Sequence, residues 1–169
     1  MGKAFTTRYN GISNVLKSDV LVHAAFDPKK HPTPPEGKNY TAIWDTGATG
    51  TVITQKVVTD LELKPVGMNK VHTAGGVFDR SVFLINVMLP NGVGFAGIPV
   101  TEGDITDDTD MLIGMDIIGS GDFSVSNFNG KTIFTYRHPS EKDTDFVAEI
   151  NVQKGKVNLR NSIKEAIKK

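Results

Sequence analysis

The sequence contains no cysteine among its 169 residues. This absence excludes disulfide bridges, thiolate metal sites and a cysteine nucleophile, so any catalysis would have to use oxygen or nitrogen groups. It is compatible with a reducing compartment. Net charge is absent as well, because 19 Lys and Arg residues balance 19 Asp and Glu residues. Since no positive field points to nucleic acid, we expect no nucleic-acid partner.

Long apolar runs are also missing. No segment approaches the ~20 apolar residues that span a bilayer, and the N-terminus lacks the charged-then-apolar pattern of a signal peptide. We therefore expect a soluble, cytoplasmic protein with no membrane partner. Hydrophobic residues make up 38% and charged residues 22% of the chain, a balance typical of a folded globular domain.

The chain divides into three segments. Residues 1–39 are interpreted as an N-terminal extension that ends in a proline-rich boundary, His31–Gly37, because proline cannot supply the N–H of a regular ladder. Residues 40–138 contain β-branched and alternating stretches that predict a mainly β domain. Residues 139–169 are expected to form a C-terminal extension with a short helix over Asn161–Lys169, where apolar residues fall at helical spacing.

Turn chemistry locates the candidate site. Tyr40–Trp44 is predicted to be a strand that runs into the turn residues Asp45-Thr46-Gly47. Farther along, Val71–Thr73 and Val77–Val87 are predicted strands separated by Ala74-Gly75-Gly76, where glycine permits the positive φ of a tight hairpin.

Two residues near the turn are expected to have structural rather than functional roles. Trp44 precedes Asp45 and is interpreted as a core residue rather than a substrate contact, because large aromatic side chains most often bury their rings. Thr54 is expected to cap a short helix that carries Val57 and Val58 on one side.

Signals for a metal or cofactor are weak. Gly92–Gly97 matches the dinucleotide fingerprint G-x-G-x-x-G, but Ile98-Pro99-Val100 continues as a strand where the fingerprint requires a helix. The acidic residues of the 102–110 loop lack the spacing of a calcium site. They are Asp104, Asp107, Asp108 and Asp110. The four histidines show no ligand spacing either, and we expect no cofactor and no metal.

Residues 42–53, Ala-Ile-Trp-Asp-Thr-Gly-Ala-Thr-Gly-Thr-Val-Ile, resemble the active-site segment of retropepsin-like (retroviral-type) aspartic proteases. Residues 111–118, Met-Leu-Ile-Gly-Met-Asp-Ile-Ile, look like the strand and helical turn found downstream in that family. The Gly75-Gly76 hairpin lies between them, at the position of the family's flap. The resemblance covers roughly residues 40–136 and implies a single-domain, mainly β, retropepsin-like acid protease half-barrel with a flap hairpin and short helices.

The resemblance implies roles for particular residues in a divergent cellular or bacterial-type member. Asp45 would be the catalytic carboxyl group. Thr46 would brace the opposing loop, and Gly47 would allow the turn and support the carboxylate through its N–H.

Other residues would support that site or cover it. Ala48 would be the small residue that retroviral members carry there, and the strand ending in Ile113-Gly114 would pass close beside the catalytic loop. Ala74, Gly75 and Gly76 would form the flap tip that hydrogen-bonds an extended peptide and excludes water.

The chemistry explains why one such turn per chain implies two chains. Peptide hydrolysis needs a base for the attacking water and an acid for the leaving amine. Two carboxyl groups in contact share one proton and can fill both roles. Because the sequence has a single Asp-Thr-Gly triplet, the second carboxyl group would be Asp45 of a second subunit. The prediction is a homodimeric aspartic endopeptidase with a polypeptide substrate.

The sequence departs from the retroviral pattern in two ways. An Asp after Asp-Thr-Gly-Ala and an Arg after the downstream Gly usually pair, but here the positions hold Thr49 and Met115. Losing both together leaves no unpaired buried charge. Asp116 is expected to bond nearby backbone or Arg80 instead. The second departure is that no dimer-forming terminal strand is identifiable.

Two alternatives stay open. Asp, Thr and Gly are ordinary turn residues, so Asp45 alone would fit a structural Asx-turn. A retropepsin fold also does not guarantee catalysis, and the chain would then be a non-catalytic peptide-binding or oligomerisation module.

Overall fold

The structure is a computed structural model, and it describes residues 1–73, 75–105 and 108–167. Strands dominate the described residues, with two short α-helices, one long α-helix and a single 3-10 turn at Phe128–Gly130. The strands are β1 (Lys3–Arg8), β2 (Lys17–Ala24), β3 (Gly37–Trp44), β4 (Val52–Ile53), β5 (Gly67–Thr73), β6 (Gly76–Met88), β7 (Gly94–Glu102), β8 (Met111–Ile113), β9 (Asp122–Ser126) and β10 (Ile133–His138). The helices are α1 (Gln55–Asp60), α2 (Met115–Ile118) and α3 (Phe146–Ile167).

The larger sheet closes on itself. Its strand order is β2-β3-β8-β4-β7-β6-β5, and β2 also pairs with β6, so six strands form a ring with β5 outside it. The long strand β6 makes this possible, because its early residues pair with β5 and its later residues with both β7 and β2. The β5–β6 hairpin therefore extends from the ring. The predicted mainly β fold is confirmed.

The core follows the two-residue period of the strands. In β3, Tyr40, Ala42 and Trp44 are buried while the residues between them are not. A second sheet, with order β1-β10-β9, packs against the end of β3. Its Phe134 and Tyr136 rings have centroids 5.1 and 4.9 Å from that of Trp44. Trp44 is only 4% exposed, so the prediction that it packs in the core is confirmed.

Both terminal segments differ in detail from the expectation. Residues 1–39, expected to be an extension, supply β1 to the smaller sheet and β2 to the ring. Residues His31–Glu36 of the proline-rich stretch have no regular structure, as predicted, and Gly37 begins β3. The C-terminal helix is not short: α3 begins at Phe146, where Asp145 Oδ1 accepts the N–H groups of Val147 and Ala148 at 2.9 and 3.0 Å. This cap starts the helix well before residue 161.

No helix within the described ranges is both long and apolar enough to cross a bilayer.

Candidate active site

Asp45 lies at the end of β3, in a turn that is fixed on two sides. Its backbone N–H donates to the carbonyl of Ile113 in the parallel neighbour β8 at 3.0 Å. Its carboxylate Oδ1 accepts the N–H of Gly47 at 2.7 Å, which is an Asx-turn. A Cβ at Gly47 would lie 3.1 Å from that oxygen, so any residue other than glycine would crowd the carboxylate. The side chain of Asp45 is half-buried.

The loop after Asp45 lies directly against Gly114. The N–H of Met115 donates to the carbonyl of Ala48 at 2.8 Å. A Cβ built on Gly114 would be 2.6 Å from the carbonyl oxygen of Gly50, a distance that no real Cβ tolerates. Only glycine permits this approach of two backbone segments. The structure thus brings Asp45, Gly47, Ala48, Ile113 and Gly114 together.

A buried hydroxyl, which the sequence did not reveal, links the loop to α2. Thr51 is 1% exposed. Its N–H and its Oγ1 donate to the two carboxylate oxygens of Asp116 at 3.0 and 2.8 Å. Thr51 Oγ1 also accepts the N–H of Gly114 at 3.3 Å. In the sequence, Thr51 looked like an ordinary strand residue, and its 65-residue separation from Asp116 carried no signal.

The Thr51–Asp116 hydrogen bonds join the two segments that the sequence leaves without an ion pair. Thr49 and Met115, which occupy the positions of that pair, are both exposed. Asp116 does bond nearby backbone, as one of the two expectations had it, but Arg80 pairs with Asp104 at 3.8 Å instead. Hydrogen bonds of a carboxylate to an N–H and a hydroxyl therefore connect the two segments, whose sequence lacks the ion pair usual in retroviral members.

The hairpin expected at residues 74–76 is present. Thr73 of β5 is the strand partner of Gly76 in β6, and Gly76 has a φ of 126°, which favours glycine. Gly75 lies in the turn. Ala74, predicted to belong to the tip, lies outside the described residues.

A cleft of about 850 Å³ separates the Asp45 loop from the hairpin. The loop residues 45 and 47–52 form one wall. Four consecutive residues of β5, Asn69–His72, line the cleft with Val82, Pro99 and Thr101. Among the described residues, β5 is the last strand in the sheet order and pairs only with β6, so its other edge is free. Free strand edges can pair with an extended peptide.

Thr54 does not act as expected. It precedes α1, but its side chain makes no capping hydrogen bond, and its Oγ1 is buried without a partner among the described residues. Lys56 of α1 makes two ion pairs. Its Nζ lies 2.9 Å from Asp60 Oδ2 in the same helix and 3.5 Å from Asp110 Oδ1 outside it. The hydrogen bond from Lys56 lowers the pKa of Asp60. Neither Lys56 nor Asp60 lines the cleft.

The structure also describes the segments considered for a dinucleotide or a metal ion. Gly94 begins strand β7, so no helix opens in the glycine-rich segment and a dinucleotide fingerprint does not form there. Within the described residues, no group of His, Asp and Glu side chains could hold a metal ion. Asp107 of the acidic loop lies outside them.

Comparison with known proteins finds a family match and several similar structures. Residues 35–117 match the family model described as aspartyl protease, which supports the resemblance to retropepsin-like aspartic proteases. A retropepsin-like aspartic protease from Rickettsia conorii has a TM-score of 0.48 and 13% identity, with 81% of this chain and 95% of that chain covered.

Two viral structures are also similar. The EIAV protease complexed with the inhibitor HBY-793 has a TM-score of 0.45 and 18% identity, covering 66% of this chain and 90% of its own. The protease of simian foamy virus has a TM-score of 0.39 and 16% identity, covering 60% and 92%. No match was found among curated proteins.

Proposed function

We propose, from the aspartyl protease match over residues 35–117, that this chain is one subunit of a homodimeric aspartic endopeptidase. Two Asp45 carboxyl groups, one from each subunit, would share a proton and activate a water molecule between them. The observation that carries the proposal is the position of Asp45: a half-buried carboxylate on a loop fixed by β8, facing a cleft large enough for an extended peptide.

The hydrogen bonds of Asp45 fit that role. Oδ1 accepts from Gly47 N–H, which orients the carboxylate, and Oδ2 has no partner within the described part of the chain. A carboxylate that is held on one side and open on the other can receive water or a second carboxyl group. Two carboxyl groups in contact cannot both ionise, so one would act as the base and the other as the acid.

The surroundings of Thr46 are consistent with the proposed dimer. Its side chain is exposed, and its hydroxyl makes no hydrogen bond to the described residues of its own chain. A hydroxyl next to the catalytic carboxyl, with no partner in the same subunit, is available to a second loop related by two-fold symmetry. The single Asp-Thr-Gly triplet requires such a second loop for activity.

The substrate would lie extended between the Asp45 loop and the hairpin. Backbone groups on the free edge of β5 would pair with it, and the tip residues Ala74, Gly75 and Gly76 would cover it. Cleavage of an extended chain rather than a folded one follows, because a folded substrate cannot add a strand to β5.

The test is cleavage of denatured casein by the purified protein from mildly acidic to neutral pH. Asp45→Asn keeps the size of the side chain and removes the base, so its activity should be lost. Asp143→Asn is the matched control, because Asp143 is exposed and does not line the cleft. Cleavage retained in Asp45→Asn would contradict the proposal. No cleavage by any form would favour a non-catalytic peptide-binding or oligomerisation module.

The same assay has a pH signature. The carboxyl pair must hold one proton, so the rate should be bell-shaped and highest on the acid side of neutral. A rate that stays constant from acid to alkaline pH would rule out a shared proton.

A further inference from the structure

The cleft has an uneven distribution of charge. Of its acidic residues, Asp45 lies on the loop wall and Asp116 lies on α2, hydrogen-bonded to that wall, whereas Lys70 lies on the β5 wall. Both oxygens of Asp116 accept hydrogen bonds from Thr51, and Asp45 belongs to the proposed catalytic pair. The acidic groups on the loop side of the cleft therefore already have roles in catalysis and in holding the loop. Residues on the β5 wall are the ones that can select among substrate side chains.

Lys70 has no ionic partner among the described residues. Asp79 is its strand partner across the hairpin, yet no ion pair joins the two side chains. Arg80, one residue farther along β6, pairs with Asp104. The neighbouring β5 residues that line the cleft, Asn69 and His72, likewise make no side-chain hydrogen bond within the described ranges. Hydrogen-bond donors that face a cleft and lack partners are available to a ligand.

Strand geometry determines what these side chains would contact. Successive side chains of β5 point to opposite faces, so Lys70 and His72 share one face and Asn69 lies on the other. An extended peptide paired with the β5 edge would place every second side chain on the face of Lys70, and one of these side chains would lie beside Lys70. That side chain lies at the hairpin wall, away from the acidic loop wall.

We infer that Lys70 makes the enzyme prefer substrates with an acidic side chain at one position facing the hairpin. This inference rests on the proposed protease function and adds its substrate class. An Asp or Glu at that position would pair with the ammonium group, whereas an acidic residue next to the scissile bond would be repelled by the carboxyl groups of the loop wall.

The experiment compares pairs of peptides that differ only by Glu or Gln. The parent peptide is a sequence that the enzyme cuts in denatured casein, and the Glu/Gln pair is moved through the positions on both sides of the cut. The wild type should favour Glu at one position by roughly two- to fivefold in kcat/KM at low salt, the range of a partly exposed ion pair. The preference should weaken in high salt.

Two variants and one control assign the preference to Lys70. Lys70→Met should remove it, and Lys70→Glu should reverse it. Lys29→Glu changes net charge by the same amount as Lys70→Glu, but Lys29 does not line the cleft, so the wild-type preference should remain.

The outcomes separate this inference from the function on which it rests. Peptides that are cut with the same Glu to Gln ratio by the wild type and by Lys70→Met would overturn the inference and leave the protease intact. A failure to cut casein or any peptide would overturn the proposed function, and the inference would fall with it.

Discussion

The two walls of the cleft are built differently. The Asp45 loop is held by hydrogen bonds to β8 and α2, and its buried Thr51 makes the bonds to α2. The β5–β6 hairpin is held by its own ladder, and Gly76–Asp79 are all exposed. A wall fixed by the core suits a carboxyl group that must hold its position, and a wall of exposed strands suits a cover that opens for substrate. Substitutions should therefore affect stability at the loop and substrate use at the hairpin.

The largest expected effect is at Gly114. Gly114→Val would force side-chain atoms into the backbone of Gly50, so the free energy of unfolding should fall by about 3 kcal/mol and activity should be lost. Gly67→Ala is the comparison on the hairpin side, because a Cβ at Gly67 meets no atom within 4 Å. Urea denaturation of both variants checks this. Equal losses would show that the two walls are not distinct.

Thr51→Val is expected to be next in size. It leaves the N–H of Gly114 and one oxygen of Asp116 without their hydroxyl partner, so stability should fall by about 2 kcal/mol. Thr101→Val is the matched change at the neighbouring position in β7, since Thr101 lines the cleft and its side chain makes no hydrogen bond to the described residues. Thermal unfolding should shift for Thr51→Val and hardly at all for Thr101→Val.

The hairpin should behave in the opposite way. Val77→Ser and Phe78→Ser remove exposed apolar groups, 55% and 43% accessible, so stability should change by no more than about 0.5 kcal/mol. Peptide cleavage should nevertheless weaken, mainly through KM, if these strands cover the substrate. Unchanged KM in both variants would argue against a covering role.

The smallest effect concerns the smaller sheet at acid pH. Hydrogen bonds from Ser140, the Glu141 N–H and Arg137 hold the pKa of Asp122, at the start of β9, well below its usual range. A depressed pKa gives stability that is present above the unfolded-state value near 3.9 and fades as pH falls toward the folded-state value. Asp122→Asn should therefore lower the melting temperature near neutral pH more than at strongly acid pH. A constant difference would contradict this linkage.

Local patterns in the sequence were sufficient to predict the loop wall. The strand before Asp45, the glycine that ends β8 and the single turn of α2 all appear where the turn and apolar residues predict them. The reason is that each depends on neighbouring residues: a buried strand, a turn triplet and a glycine that must approach another backbone.

Long-range partners were not predictable in the same way. The Thr51–Asp116 hydrogen bonds join residues distant in sequence, and the residue type of Thr51 does not indicate which residue it will bond. The role of β2 in closing the ring was missed because pairing with both β3 and β6 depends on the twist of the whole sheet. The length of α3 was missed because its apolar residues are scattered, and the cap at Asp145 sets its start.

The most direct test of the central claim is mixed assembly of wild type and Asp45→Asn. The two forms are unfolded together, refolded in varied proportions at constant total concentration, and assayed on denatured casein. If each active site needs one Asp45 from each of two subunits, activity falls with the square of the wild-type fraction. Activity that falls linearly with that fraction would contradict the shared site, because each chain would then work alone.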